Sequence, residues 1–294
     1  MWVDKYIRNP LWATLVRALV AAMVVSFVVF VQSREAIPQT AGEQTSYASV
    51  SPMIVGGTAV PNGKYPFMAA LLDKSRPGDA FDEQFCGGTL IDKDSVLTAA
   101  HCLLKPKPDK LEVVVGRTAL NQNRGQLRSV SRRFIHPRYN GNGYEAAVLK
   151  LRRAVKGIKP IKLATAKQNN LEKPGHILTA AGWGVVKQRP GPFDVRTIRM
   201  HEVSVPAVSD SRAKRAYQSQ GLKYLPSLQV AAGKKGNGAC FGDSGGPLFD
   251  SGSGTQVGIT SHGAGGCGAA RYPAVYTEVN NEQIGKWILR AAKR

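Results

Sequence analysis

Residues 95–102 read Ser95-Val96-Leu97-Thr98-Ala99-Ala100-His101-Cys102, a short β-type run that ends on an imidazole beside a thiol. Runs of the same kind recur at 110–117 (KLEVVVGR), 145–151 (EAAVLKL), 176–184 (HILTAAGWG), 198–206 (IRMHEVSVP), 255–263 (TQVGITSHG) and 273–279 (PAVYTEV). Gly, Pro and Asn punctuate them. This spacing predicts an all-β antiparallel sandwich or barrel and excludes strand–helix alternation. Helical signals are confined to two places. Residues 209–218 open on Ser209 or Asp210 as an N-cap. In 281–292, Ile284, Trp287, Ile288 and Ala291 fall on one face, as a helix docked on a core requires.

Working outward, residues 1–33 differ from everything after them. Asp4, Lys5 and Arg8 precede an apolar run, Ala18 to Val31, of the length of a secretory h-region. Val31-Gln32-Ser33 offers a cleavage site; the alternative is an uncleaved anchor from Leu11 to Val31 with Arg17 inside it. Residues 34–53 are polar and aperiodic and read as a pro-segment or linker. Residues 54–294 have no composition break and suit one all-β domain. The protein is therefore expected to be secreted or periplasmic, with a membrane-anchored form as the alternative.

All four cysteines, Cys86, Cys102, Cys240 and Cys267, lie in that domain. An export signal with an even count argues for two disulfides, and spacing leaves three connectivities open. No CxxC pair suggests a metal, and no cofactor is expected. The formal charge is +20, and residues 54–294 retain 36 Lys and Arg against 17 Asp and Glu, or +19. Such an excess draws a protein to polyanions or anionic envelopes. The basic residues are dispersed and carry no nucleic-acid motif, so no specific nucleic acid is expected as a partner. Gly263, Gly265 and Gly268 spell GxGxxG, but no helix follows and Cys267 sits inside, which excludes a dinucleotide site.

Two further stretches carry chemistry. Gly242-Asp243-Ser244-Gly245-Gly246-Pro247 sets a hydroxyl in a glycine-rich turn whose backbone N–H groups can approach a substrate carbonyl, and Ile54-Val55-Gly56-Gly57 follows the polar segment. With His101-Cys102, Ala181-Gly182-Trp183-Gly184, Ser261 before His262-Gly263, and Val275-Tyr276-Thr277, the sequence resembles the chymotrypsin–trypsin family of serine proteases over nearly all of 54–294. The resemblance implies two antiparallel six-stranded Greek-key β-barrels with a C-terminal helix, His101 coming from the first barrel and Ser244 from the second. It implies a Ser244 nucleophile, a His101 base, an oxyanion hole from the N–H groups of Gly242 and Ser244, and protein or peptide substrates. It implies the pairings Cys86–Cys102 and Cys240–Cys267; a further bridge common in relatives would join positions held here by Ala213 and Ala231. It also implies activation by a new N-terminus at Ile54 placed beside Asp243. Nothing indicates oligomerisation, and a monomer is expected.

The family's triad acid is Asp, and Glu145 stands in its place. A Glu carboxylate can hold the imidazole tautomer, but one more C–C bond adds about 1.5 Å, and a misplacement of about 1 Å can cost on the order of 100-fold. The expectation is slowed catalysis, or near-normal catalysis if the pocket has adjusted, with Ala146 leaving room for a folded-back side chain. The same resemblance places Gly238 at the base of the specificity pocket, where relatives that cut after Lys or Arg carry Asp, and Gly263 and Ala274 on its walls beside Ser261 and His262. A neutral pocket predicts cleavage after medium apolar residues. Met53, before the activation point, fits such a pocket and suggests self-activation. The competing reading is a weak or silent homologue that binds polyanions through its basic surface.

Overall fold

The computed structural model describes residues 54–187 and 195–294; the expected signal and pro-segment, Met53 included, lie outside the described residues. In the first half, β1 (Met68–Asp73), β2 (Gln84–Leu90), β3 (Ser95–Thr98), β4 (Leu111–Val115), β5 (Gln126–Ile135) and β6 (Ala147–Leu151) form a closed barrel in the order β1-β2-β3-β6-β5-β4. The second half repeats the pattern. β7 (Ile177–Gly182), β8 (His201–Val208), β9 (Gln229–Ala232), β10 (Pro247–Asp250), β11 (Thr255–His262) and β12 (Ala274–Glu278) run β7-β8-β9-β12-β11-β10, and β7 pairs with both β8 and β10 to close the ring. Closure leaves the twelve strands no free edge. Of the two all-β arrangements open from strand spacing alone, the chain adopts barrels.

Burial follows what each strand faces. β1 and β6 are buried almost throughout, so they read as continuous apolar runs. β5 alternates more and exposes Ser129 and Arg132 while burying Val130. Lys150 in β6 breaks the apolar run and yet is buried. Its ammonium donates to Asp94 Oδ1 at 2.6 Å, Ser95 Oγ at 2.9 Å and the Ala292 carbonyl at 2.7 Å. A buried charge is tolerable when so partnered, and this one also ties down the end of the C-terminal helix.

The two helices form where the sequence places them. α1 spans Asp210–Gln218, with Ser209 as N-cap residue. α2 spans Glu282–Ala292, capped by Asn281, whose side chain accepts from the Gln283 and Ile284 N–H groups. Ile284, Ile288 and Ala291 are buried, while Trp287 is half-buried with its ring 4.7 Å from that of His136. Among the described residues no helix is long and apolar enough to cross a membrane.

The barrels meet along a seam of cross-contacts. Thr89 Oγ1 in β2 donates to Gln256 Oε1 in β11 at 2.7 Å, and the Gly87 N–H donates to the Ser244 carbonyl at 2.7 Å. The second contact holds the glycine-rich turn of 242–247 against the first barrel, close to where β3 ends.

Candidate active site

His101 leaves β3 in a single 3-10 turn, Ala100–Leu103. The Cys86–Cys102 bridge, one of two disulfides formed, fastens that turn to β2. A loop of 16 residues closed in this way is worth about 3 kcal/mol on the chain-entropy estimate. The other bridge is Cys240–Cys267, so the pairing implied by the resemblance is the one present. The sulfurs of Cys86 and Cys102 lie near His101 but are bonded to each other, and this trio has no thiolate to offer a metal. Ala213 and Ala231 are both fully buried in one small cluster with Tyr217 and Val275, so apolar packing occupies the position of the bridge they lack.

Glu145 reaches the imidazole despite its length. Its Oε1 lies 2.8 Å from His101 Nδ1 and accepts the His101 backbone N–H at 3.0 Å. Its Oε2 accepts the Ser261 hydroxyl at 3.0 Å. The adjustment is in the backbone. Tyr144 takes a left-handed φ of +54°, and the Ala146 N–H turns back to the Tyr144 carbonyl at 2.8 Å, which makes a tight turn centred on Glu145. A left-handed aromatic residue costs about 1–3 kcal/mol. The Tyr144 ring is held in compensation: it stacks on His136 at 4.9 Å, lies under the Arg138 guanidinium at 4.1 Å, and its hydroxyl donates to Gln283 Oε1 at 2.8 Å.

The electrostatics of Glu145 are a contest. Burial is the largest single influence and pushes its pKa up, but the bond from the His101 side chain, the His101 charge, the His101 backbone N–H and the Ser261 hydroxyl together bring it below the ordinary value. The group is therefore an ionised acceptor at neutral pH. Tyr139, which sequence reasoning missed, lies in the same recess as Glu145; burial first, then the nearby Glu145 carboxylate, push its phenol up to about 12. Its only sequence signal is a place six residues before the carboxylate.

His101 Nε2, the nitrogen opposite the carboxylate, lies 3.7 Å from Cys102 Sγ, and the same sulfur lies 3.7 Å from the Ser244 carbonyl oxygen. Imidazole and serine thus share one neighbourhood. Ser244 is half-buried, and its Oγ makes no hydrogen bond among the described residues. Such bonds are commonly long without substrate and tighten in the complex. Gly242 has a φ of +93°, a conformation open to glycine, and its carbonyl accepts from Gln84 Nε2 at 2.9 Å. Among the described residues neither the Gly242 nor the Ser244 N–H is paired with a protein acceptor.

Asp243 points the other way, into the protein. It is 2% exposed and accepts the Gly184 N–H at 2.8 Å and the Cys240 N–H at 2.9 Å. Burial pushes its pKa up to about 6 against the pull of those two bonds and of Arg196. The approach explains the Ala181-Gly182-Trp183-Gly184 stretch, since a Cβ on Gly184 would sit 2.6 Å from the Asp243 Cγ. Ile54 is fully buried, and the Val55 carbonyl accepts the Gly238 N–H at 3.1 Å.

A cavity of about 220 Å³ opens beside Ser244, lined among others by Ser261, His262, Gly263 and Ala274, with the exposed ring of Phe241 at its edge. No acidic side chain is among the described residues lining it. Gly238 does not reach the lining. It is buried, its N–H donating to the Val55 carbonyl at 3.1 Å, and it lies against Gly268, which does line the cavity. A second, wider recess of about 620 Å³ adjoins and contains His101, Tyr139, Glu145 and Leu222; Ser261 and His262 line both.

Two barrels with a buried carboxylate paired to a half-buried imidazole, and a serine turn in the same neighbourhood, define the architecture of a trypsin-like serine protease. A family model described as Trypsin matches residues 54–288, and the chain belongs to that family as a serine-type endopeptidase. It is 35% identical to a trypsin of Saccharopolyspora erythraea over 230 residues, 77% of this chain and 93% of the relative. It is 34% identical to a trypsin-like protease of Streptomyces glaucescens over 247 residues, 81% of this chain and 82% of the relative. Among solved structures, neuropsin, a serine protease expressed in the limbic system of mouse brain, superposes with a TM-score of 0.67 at 30% identity, over 80% of this chain and 97% of that one.

Proposed function

We propose that the protein is an exported endopeptidase whose triad is Ser244, His101 and Glu145. The observation that carries this reading is the 2.8 Å contact between His101 Nδ1 and an ionised Glu145 Oε1, which puts the ring hydrogen on Nδ1 and leaves Nε2 as the base. Ser244 Oγ attacks the scissile carbonyl as its proton passes to Nε2. The oxyanion takes the Gly242 and Ser244 N–H groups. Collapse expels the amine, which leaves with the proton from Nε2, and the acyl group stays on Ser244. Water, deprotonated by the same nitrogen, then releases the acid and restores the hydroxyl.

The competing reading, a silent homologue that binds polyanions, drew on charge and on a displaced acid; the reach of Glu145 removes the second support. Residues 1–33 as signal and 34–53 as pro-segment fit export and activation at Ile54. A freed Ile54 amine would give Asp243 the cation it lacks as a side-chain ion-pair partner among the described residues. The basic surface would then favour anionic surroundings without being the site of chemistry.

The test is a serine-directed phosphonylating probe applied to the trimmed, oxidised protein. Labelling should map to Ser244 and disappear when His101 is replaced by Ala. Stoichiometric failure to label would remove the proposed function.

The pocket carries a separate expectation. A Cβ added at Gly238 would meet nothing nearer than Gly268 at 3.6 Å, an ordinary contact. Gly238→Asp should therefore fold and place a carboxylate under the cavity. Because an unpaired buried cation is strongly disfavoured, the parent should prefer Leu, Met or Phe before the cut, and G238D should raise the Arg-to-Leu ratio of kcat/KM by on the order of 100-fold. Matched peptide substrates measure it, and an unchanged ratio would place specificity elsewhere.

A further inference from the structure

Ser261 touches the proposed triad acid, and the residue after it continues the contact. His262, set at the end of β11, places Nδ1 2.9 Å from Ser261 Oγ. Its ring meets Tyr217 edge to face at 5.7 Å, and Tyr217 is itself fully buried with its hydroxyl donating to the Pro273 carbonyl at 2.8 Å. The imidazole is thus braced from α1.

The bonds form a chain whose polarity can be assigned. Glu145, ionised, only accepts. The single Ser261 proton therefore goes to Glu145 Oε2 at 3.0 Å, and Ser261 Oγ is left to accept. Its neighbour must then present a hydrogen, so neutral His262 is the Nδ1–H tautomer. One carboxylate sits between two imidazoles, directly on His101 and through a hydroxyl on His262.

We infer that His262 is a positioning residue for the triad acid: by donating to Ser261 it fixes that hydroxyl toward Glu145 and strengthens its bond to the carboxylate that holds His101. The inference rests on the triad proposed above. Hydrogen bonds in such a row polarise one another in the same direction. Burial also favours the uncharged ring of His262, while the Glu145 charge acts against burial and that of His101 with it. A neutral donor supports the carboxylate without competing with the cation that forms on His101 during attack.

Two variants separate this role from mere lining of the cavity. His262→Phe keeps a ring and removes the donor; His262→Asn can return an N–H near the former Nδ1. Both should alter KM, since the side chain lines the substrate cavity. The Phe variant should lower kcat by about fivefold, and the Asn variant should recover it to within about twofold of the parent. Equal kcat in parent and Phe variant, or equal loss in both variants, would overturn the inference.

A second measurement does not depend on turnover. In the Ser244→Ala protein, ¹⁵N shifts of the His262 ring should report hydrogen on Nδ1 at neutral pH, with a cross-hydrogen-bond link to Ser261. An Nε2–H tautomer would overturn the inference even in an active enzyme. An Nδ1–H tautomer in a chain that hydrolyses nothing would uphold the relay geometry and sink the proposed function instead.

Discussion

Ser244→Ala should lower kcat on a good peptide substrate by about 10⁶-fold, the size such a loss has in a serine protease of another fold. The substitution removes one oxygen and little else. The backbone contact that seats the turn, from the Gly87 N–H to the Ser244 carbonyl at 2.7 Å, does not involve the side chain, and the hydroxyl makes no hydrogen bond among the described residues. The melting temperature should consequently stay within about 2 °C of the parent, since surface changes away from such features fall within about 0.5 kcal/mol. His101→Ala should cost a similar factor, and the double variant should be no slower than either single one. Nucleophile and base act as a unit, so removing one leaves nothing for the other to do. Additive losses would mean that the two groups work independently, which the proposed mechanism forbids.

What could be read from the chain beforehand divides by the range of the interactions. β-type runs, turn residues and the one-sided helix at 281–292 are local patterns, and they gave the all-β class and the docked helix, while the choice of two barrels over a sandwich came with the resemblance. The resemblance named the disulfides. Lys150 shows where local pattern fails: within a strand it looks like an outward polar residue, and only the fold reveals Asp94 and the Ala292 carbonyl waiting for its ammonium. The surroundings of Glu145 were hidden for the same reason. Its bond to Ser261 spans 116 residues, and the link onward to His262 exists only because β11 ends there. Tyr139 gave no signal beyond proximity in sequence. Gly238, expected at the pocket base, is not itself a lining residue but lies against Gly268, which is, a contact between residues 30 apart that no local pattern shows.

The reach of Glu145 was the open question of length, and the tight turn answers it with a ranking of variants. Tyr144 and Ala146 hold the backbone of residue 145 so that a three-carbon acid meets His101 Nδ1 at 2.8 Å. Shortening the side chain leaves this turn in place and withdraws the carboxylate by about 1.5 Å. Glu145→Asp, although it restores the residue type usual in the family, should therefore be slower than the parent, by on the order of 100-fold. Glu145→Gln keeps the length and loses the charge. Its amide can present N–H to Nδ1 and so favour the tautomer with hydrogen on Nε2, which cannot accept the Ser244 proton; the loss should approach about 10⁴-fold, a magnitude carried over from the family's own acid. The expected order in kcat is parent, then Asp, then Gln, read on one substrate at one pH. An Asp variant as fast as the parent would show that the carboxylate in the working enzyme does not occupy the position on His101 that the turn assigns it, because only a misplaced acid gains from being shortened.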